Sequence, residues 1–285
     1  MRELVYRNPL NNSIILYRDP NLITKLDGIE LPQVNMQTQS APYQDGVTDL
    51  DALFSPRTIV VEGSFLVSGL PAVYSSRSSA LAQLSPKLGL GTLTFTNDNG
   101  IFTTACRCIS AIMPNKEYTN PYQDFQFQFF CPDPYWYDQT QSLATLRVVS
   151  GGFTFPITFP IIFGNYTGIT PVIAANSGDS ITPVIINFYG PSVNPVVTNN
   201  TTGEHIKCNI TLNVGDALII NTKFGSKSVS KIASSGIITN QSATLDASST
   251  FWQLNVGDNS ISFSDDLFLS AEYCRIYWFN RYVGK

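Results

Sequence analysis

A chain of 285 residues, 43% hydrophobic, 12% aromatic and only 13% charged, is long enough for about two domains with packed cores and relies on Ser, Thr, Asn and Gln for its polar surface. With a net charge of −4, nothing in the composition is basic enough to hold a phosphate backbone. Residues 1–140 carry 9 basic and 13 acidic side chains, whereas residues 141–285 carry 8 of each, so all the net charge lies in the first half.

The N-terminus, Met1-Arg2-Glu3-Leu4-Val5-Tyr6-Arg7, shows no apolar secretion signal. The first half reads as strands with one helix. Thr58-Ile59-Val60-Val61 and Phe65-Leu66-Val67 are β-branched and aromatic runs punctuated by Gly63 and Gly69. The one helix candidate covers 74–84, with Ser75 or Ser76 as cap and Ala80, Leu81 and Leu84 as apolar stripe. Leu88 extends that face only if a turn continues past Pro86, and Pro86 and Gly89 end the element. Asn97-Asp98-Asn99-Gly100 joins strands at 93–96 and 101–106 as a hairpin. The clearest strand is 124–129, where Phe125, Phe127 and Phe129 alternate with polar residues and must bury one face.

The run Cys131-Pro132-Asp133-Pro134-Tyr135-Trp136-Tyr137-Asp138 cannot continue a central strand, because its prolines remove two ladder donors. These eight residues form a domain-junction motif whose prolines favour extended chain and whose aromatics predict a packed plug. The boundary falls near residue 140, giving domains 1–140 and 141–285. Residues 148–178 lack charge, but Pro156, Pro160 and Pro171 break any spanning helix, so the stretch reads as a linker followed by strands.

The second half is all β by pattern. Turns at Tyr189-Gly190-Pro191, 199–203, Val214-Gly215-Asp216 and Val256-Gly257-Asp258 separate short strands, as in a sandwich. Leu212-Asn213-Val214-Gly215-Asp216 recurs as Leu254-Asn255-Val256-Gly257-Asp258 and predicts two equivalent strand-to-strand corners. The run 273–279 is the last strand candidate.

Little in the chain points to catalysis. A Ser–His–acid or Cys–His centre would have to use the single histidine, His205, which reads as an exposed strand residue beside a turn. Asp265-Asp266 is the only adjacent acidic pair; on a strand the two point to opposite faces, and a solvated turn accounts for them better than a glycosidase pair. Asp49 and Asp51, near Asp45, are a weak calcium candidate read as a polar loop. The sequons at Asn165 and Asn209 are products of an Asn/Thr-rich composition. Five sparse cysteines, Cys106, Cys108, Cys131, Cys208 and Cys274, read as free core thiols rather than a disulfide framework; in Cys106-Arg107-Cys108 both thiols share one strand face. Trp252 and Trp278, with Tyr189 behind them, are candidate sugar contacts, weighed against packing in the core. No catalytic, cofactor or metal residue is assigned.

Three features together resemble the distal tail protein family of siphophages. They are Leu26-Asp27-Gly28-Ile29 with Leu31-Pro32, Pro42-Tyr43-Gln44-Asp45-Gly46 and Ser55-Pro56-Arg57-Thr58-Ile59; the run from Cys131 to Asp138; and the series around Gly190, Asn194-Pro195, 199–203, Val214-Gly215-Asp216, Asn221-Thr222 and Phe251-Trp252 to Asn259. The resemblance implies a mainly β protein with a ring-forming first domain and an outward-projecting, galectin-like or carbohydrate-module-like second sandwich. It implies a homo-hexameric structural hub in the virion, at the distal end of the tail, made in the cytoplasm of the bacterial host. Its partners would be the tail tube protein, the tail-tip protein and receptor-binding proteins or side fibres, with no cofactor, no sequence-specific nucleic-acid binding and no membrane insertion. DNA would pass through the ring, and the negative first half predicts an acidic lumen that repels phosphates. The alternative, from another class, is an adhesin that recognises carbohydrate of the host wall; a wall-digesting enzyme ranks last.

Overall fold

The computed structural model describes residues 3–16, 21–66, 69–114, 122–150, 167–169, 171–267 and 273–285. The chain divides into two compact units, Met1–Gln139 with Tyr282–Lys285, and Thr140–Arg281. The last four residues, which the sequence boundary at 140 assigned to the second domain, thus belong to the first unit.

In the first unit the strands are β1 (Glu3–Arg7), β2 (Ser13–Ile15), β3 (Asn21–Asp27), β4 (Val34–Gln39), β5 (Thr48–Phe54), β6 (Arg57–Leu66), β7 (Gly91–Asn97), β8 (Gly100–Ile112), β9 (Tyr122–Cys131) and β10 (Trp136–Asp138). The main sheet runs β2-β1-β7-β8-β9-β6-β3, while β4 and β5 pair only with each other. Strict alternation decides what is buried: Phe125, Phe127 and Phe129 of β9 meet Ile59 and Val61 of β6 and Cys106 and Cys108 of β8 in one core. Phe125 and Phe127 stack with centroids 4.5 Å apart. β7 and β8 form the predicted hairpin, with Asn97 opposite Gly100.

Helix α1 covers Leu70–Gln83, starting four residues before Tyr74, the first residue of the sequence candidate. Gly69 at φ 88° leads into it, and Pro71 pre-sets the first turn. Ser75 lies inside the helix, its hydroxyl donating to Ala72 O, so it caps nothing. The buried stripe is Val73, Ala80 and Leu84, three positions on one helical face, and Leu81 is 42% exposed. A 3-10 turn over Pro86–Leu88 does continue past Pro86.

In the second unit the strands are β11 (Ser142–Ser150), β12 (Thr167–Ile169), β13 (Val172–Asn176), β14 (Thr182–Tyr189), β15 (Ser192–Val193), β16 (Val196–Asn199), β17 (Glu204–Lys207), β18 (Thr211–Leu212), β19 (Ala217–Asn221), β20 (Ser228–Ile232), β21 (Ile238–Asn240), β22 (Gln253–Leu254), β23 (Gly257–Ser264) and β24 (Tyr273–Trp278). A sheet ordered β12-β11-β24-β14-β19-β20-β21 faces a second ordered β13-β23-β16-β17. Leu146, Ile186, Phe188, Leu218 and Ile276 from the first pack on Ala174, Val197, Ile206, Ile261 and Phe263 from the second, which is the expected sandwich.

The repeated pentapeptide makes two turns closed by different groups. In the first, Gly215 takes φ 85° and the Asp216 carboxylate accepts from Asn213 N and Ser234 N and pairs with Lys231 at 2.8 Å. In the second, Gly257 takes φ 89°, but Asn259, one residue further along, closes the turn by accepting from Asn255 N and donating to Asn255 O. The corners are therefore not equivalent: an identical string meets a partly buried ion pair in one place and an amide clamp in the other. Gly190 is required by packing, since a Cβ there would lie 2.1 Å from Asn213 O.

All five thiols are free and buried. Burial pushes Cys108 up to about 11, Cys208 up to about 12 and Cys274 well above its ordinary value. A raised thiol pKa stabilises the fold fully below the unfolded value of about 8.5, and that contribution is lost as pH climbs through the folded values. At pH 8 a maleimide should leave the native protein unlabelled for hours and modify all five cysteines in denaturant; fast labelling of the native protein would show the core to be open.

Candidate assembly surfaces and the domain-junction knot

Gly28, Arg57 and the junction motif are brought to one point. Arg57 opens β6 directly opposite Cys131, the last residue of β9. Its side chain points inward with 2% exposure, among the cores of β6, β9 and the 132–136 turn. The guanidinium donates from Nε to Pro134 O at 2.8 Å, from one terminal nitrogen to Gly28 O at 2.7 Å and Glu30 O at 2.5 Å, and from the other to Val283 O. Burial lowers its pKa from the ordinary value, yet an arginine so well supplied with acceptors stays charged.

Trp136 lies beneath it, fully buried, with the guanidinium carbon 5.8 Å from the ring centre and the indole N–H donating to Ile29 O at 3.2 Å. Phe95 packs on its far side at 6.1 Å. Gly28, at φ 85°, is needed because a Cβ would lie 2.1 Å from Thr58 O. Asp133 holds the turn with both carboxylate oxygens, accepting from Tyr135 N at 3.3 Å and from Tyr137 Oη at 2.5 Å. Pro132 lies exposed on the outside of this turn. Asp138 accepts from Tyr282 Oη at 3.2 Å, and Tyr282 meets Phe102 edge-on. The junction motif is thus part of the first unit's core, with only Trp136 as its plug; Tyr135 packs instead on Phe54 at 5.9 Å. Sequence reading singled out the aromatics but gave Arg57 no role. Its signal was a lone cation between strand residues at the head of an apolar run.

The other candidates are dispersed. Trp252 and Trp278 are 1% and 5% exposed in the core of the second unit and present no ring face to a sugar. Tyr189 keeps partial exposure, but its ring stacks on Tyr273 at 4.5 Å with Arg275 over both. His205 sits on β17 with Nε2 3.1 Å from Ser248 Oγ. Asp265 is 3% exposed and accepts from Ser192 Oγ, while Asp266 accepts from Asn194 Nδ2. The pair is therefore not a solvated turn; it fastens the 192–194 segment. Asn209 donates to Asp246, and Asn165 lies outside the described residues. Among the described residues no three His, Cys, Asp or Glu side chains come together as a metal site, and no helix is long and apolar enough to cross a membrane.

Residues 14–131 match the model of the phage tail protein RIFT-related domain, and residues 177–282 match that of the siphovirus-type tail component, C-terminal domain. The chain belongs to the siphophage distal tail protein family. It is thereby a component of the virion tail. Among solved structures, the distal tail protein Dit of phage SPP1, described as a paradigm of the hub adsorption apparatus in phages of Gram-positive hosts, is 14% identical over 99% of both chains with a TM-score of 0.68. Chains of the phage p2 baseplate in its activated conformation match with a TM-score of 0.56, at 12% identity with strontium and 13% with calcium, over 97% of this chain and 98% of theirs. At these identities the likeness is one of fold. No curated protein sequence matches. In this distal tail protein the Arg57 knot ties Gly28, inside the first matched domain, to Pro134, just past its end.

Substitutions at two positions test the knot. Trp136→Ala should cost roughly 3–5 kcal/mol, the usual loss for a fully buried tryptophan. Arg57→Met strands buried carbonyls at about 1–3 kcal/mol for each one left unsatisfied, and Arg57→Lys should recover little, since one ammonium cannot reach all four acceptors. Urea melts check both; a loss below about 1 kcal/mol for either would mean that the knot is open to water.

Proposed function

We propose that this protein is the structural hub of a long-tailed phage tail tip, a homo-hexameric ring that joins the tail tube to the tail-tip proteins and lets DNA pass. The observation that carries this reading is the pair of tail-domain matches in order along one chain, over a fold shared from end to end with a hub protein. The first unit is the ring-forming part; the second, a sandwich whose tryptophans are consumed by its own core, projects outward and offers its surface to neighbouring tail proteins. Host receptor-binding proteins or side fibres would hang from that outer surface. The chain performs no chemistry in this role: its side-chain carboxylates, thiols and histidine serve packing, turns and strand pairing.

Ring formation needs no ligand under this reading. Purified full-length protein should weigh about 190 kDa by light scattering, six chains of 31.4 kDa each, and show six-fold rings by negative-stain electron microscopy. A monomer at tens of micromolar would overturn the hexamer, and release of soluble fragments from bacterial walls would overturn the non-enzymatic role.

A further inference from the structure

Two of the five thiols face each other. In the ladder between β8 and β9, Arg107 pairs with Phe130 and Cys108 with Phe129, so the next step of the register sets Cys106 opposite Cys131, the last residue of β9. Both side chains point into the core of the first unit, and neither is exposed. Their sulfurs are in contact, the Cys106 S–H donating to Cys131. The other thiols are placed differently. Cys108 turns its Sγ to Ser110 O at 3.3 Å, and Cys208 and Cys274 lie in the core of the second unit.

Opposite residues of an antiparallel pair have Cα atoms about 4.5–5.5 Å apart, inside the roughly 4.4–6.8 Å that a disulfide spans. A bond between Cys106 and Cys131 therefore asks for side-chain rotation rather than a backbone shift. The two sulfurs are also unequal. Their hydrogen bond pushes Cys106 up and holds Cys131 below its ordinary value, and Arg57, paired with Cys131 on β6, adds to the second effect. The thiolate is the nucleophile, so Cys131 is the attacking sulfur and Cys106 the resolving one. Cys131 also stands where the ladder stops, and the next residue, Pro132, is exposed. Fraying of that strand end opens a path for a reagent hardly larger than water.

The setting supplies an oxidant. A tail protein folds inside a cell, where thiols are kept reduced, and serves in a particle outside it. We propose that Cys106 and Cys131 form a modification site, a dithiol that peroxide oxidises to a disulfide tying β8 to the end of β9 after the particle leaves the cell. The Cys131 sulfur attacks one peroxide oxygen, the O–O bond breaks, and the leaving hydroxide takes up the Cys131 proton as water, which leaves a sulfenic acid. The Cys106 sulfur then attacks the Cys131 sulfur, the S–O bond breaks, and the hydroxyl leaves with the Cys106 proton as a second water. Two thiols thus give up two electrons and two protons, and one hydrogen peroxide becomes two waters. The bond closes a loop over residues 106–131 and fixes the strand end from which the chain turns towards Trp136, beside Arg57. The site depends on the protein's place in the virion and not on a ring or a number of copies.

The test treats the reduced, folded, full-length protein with hydrogen peroxide, quenches it, unfolds it and alkylates the remaining thiols. Three of the five cysteines should be alkylated, against five before treatment, with an intact mass lower by about 2 Da before alkylation. Trypsin cuts after Arg107 and so separates Cys106 from Cys108; the cross-linked product should join peptide 88–107 to peptide 117–147, and a thiol reductant should part them. Cys106→Ala and Cys131→Ala should each abolish the link, and Cys108→Ala should leave it unchanged. In urea the oxidised wild type should hold its folded-to-unfolded ratio at least about tenfold above the reduced protein. The wild-type peptide map needs no variant, so a substitution that fails to fold leaves the test intact. Five alkylated thiols after peroxide, a link through Cys108, a link between chains, or a sulfinic acid on Cys131 without a link would each overturn the site. A link that forms and leaves the urea midpoint unmoved would overturn its fastening role.

Discussion

The buried Arg57 guanidinium constrains the first unit more than any other group. A charge removed from water is tolerated only when it is fully solvated by protein. Here the solvation comes from backbone carbonyls at Gly28, Glu30, Pro134 and Val283, three stretches far apart in sequence. Each stretch must be in place for the cation to be satisfied, and Trp136 must close the space beneath it. The end of β9, the turn after it, the loop after β3 and the last residues of the chain are therefore fixed together. The consequence for fragments is direct: a piece ending at residue 140 lacks Val283, Tyr282 and the Lys285 N to Ile29 O bond, and its first unit is incomplete.

The same unit separates two tasks in space. Its core is aromatic and its net charge is confined to the β4–β5 ribbon, which pairs with no other strand. The negative balance of the first half predicts an acid-lined channel; of its acids, Asp45, Asp49 and Asp51 stand on the exposed ribbon, Glu62 and Asp124 accept from Gln126 and Ser64, and Glu117 lies outside the described residues. Net charge over a stretch of sequence says nothing about the face on which it lies; register and pairing decide that.

Local patterns with a strong physical cause were legible in the sequence. The Phe125, Phe127 and Phe129 alternation, the Asn97–Gly100 hairpin and the dense turns of the second half each follow from geometry within a few residues, and the structure holds all of them. What escaped was decided by distant partners. The helix starts at Leu70 because Gly69 and Pro71 outweigh two serines. Asp265 was read as solvated because Ser192, 73 residues away, is invisible from its neighbourhood. The two identical pentapeptides diverge because only one meets Lys231. Arg57 is illegible for the same reason, since nothing local distinguishes a buried arginine from a surface one. The sugar-contact candidates failed on exposure: Trp252 and Trp278 are where aromatic strand residues usually go, into the core.

A hub that joins tube to tip must occupy one place in the particle. Electron cryomicroscopy of intact virions tests that placement most directly. The account predicts density at the distal end of the tail tube into which copies of the first unit fit as a closed ring. Density for this chain found only on peripheral fibres, or a ring at the tube end built from another protein, would contradict it.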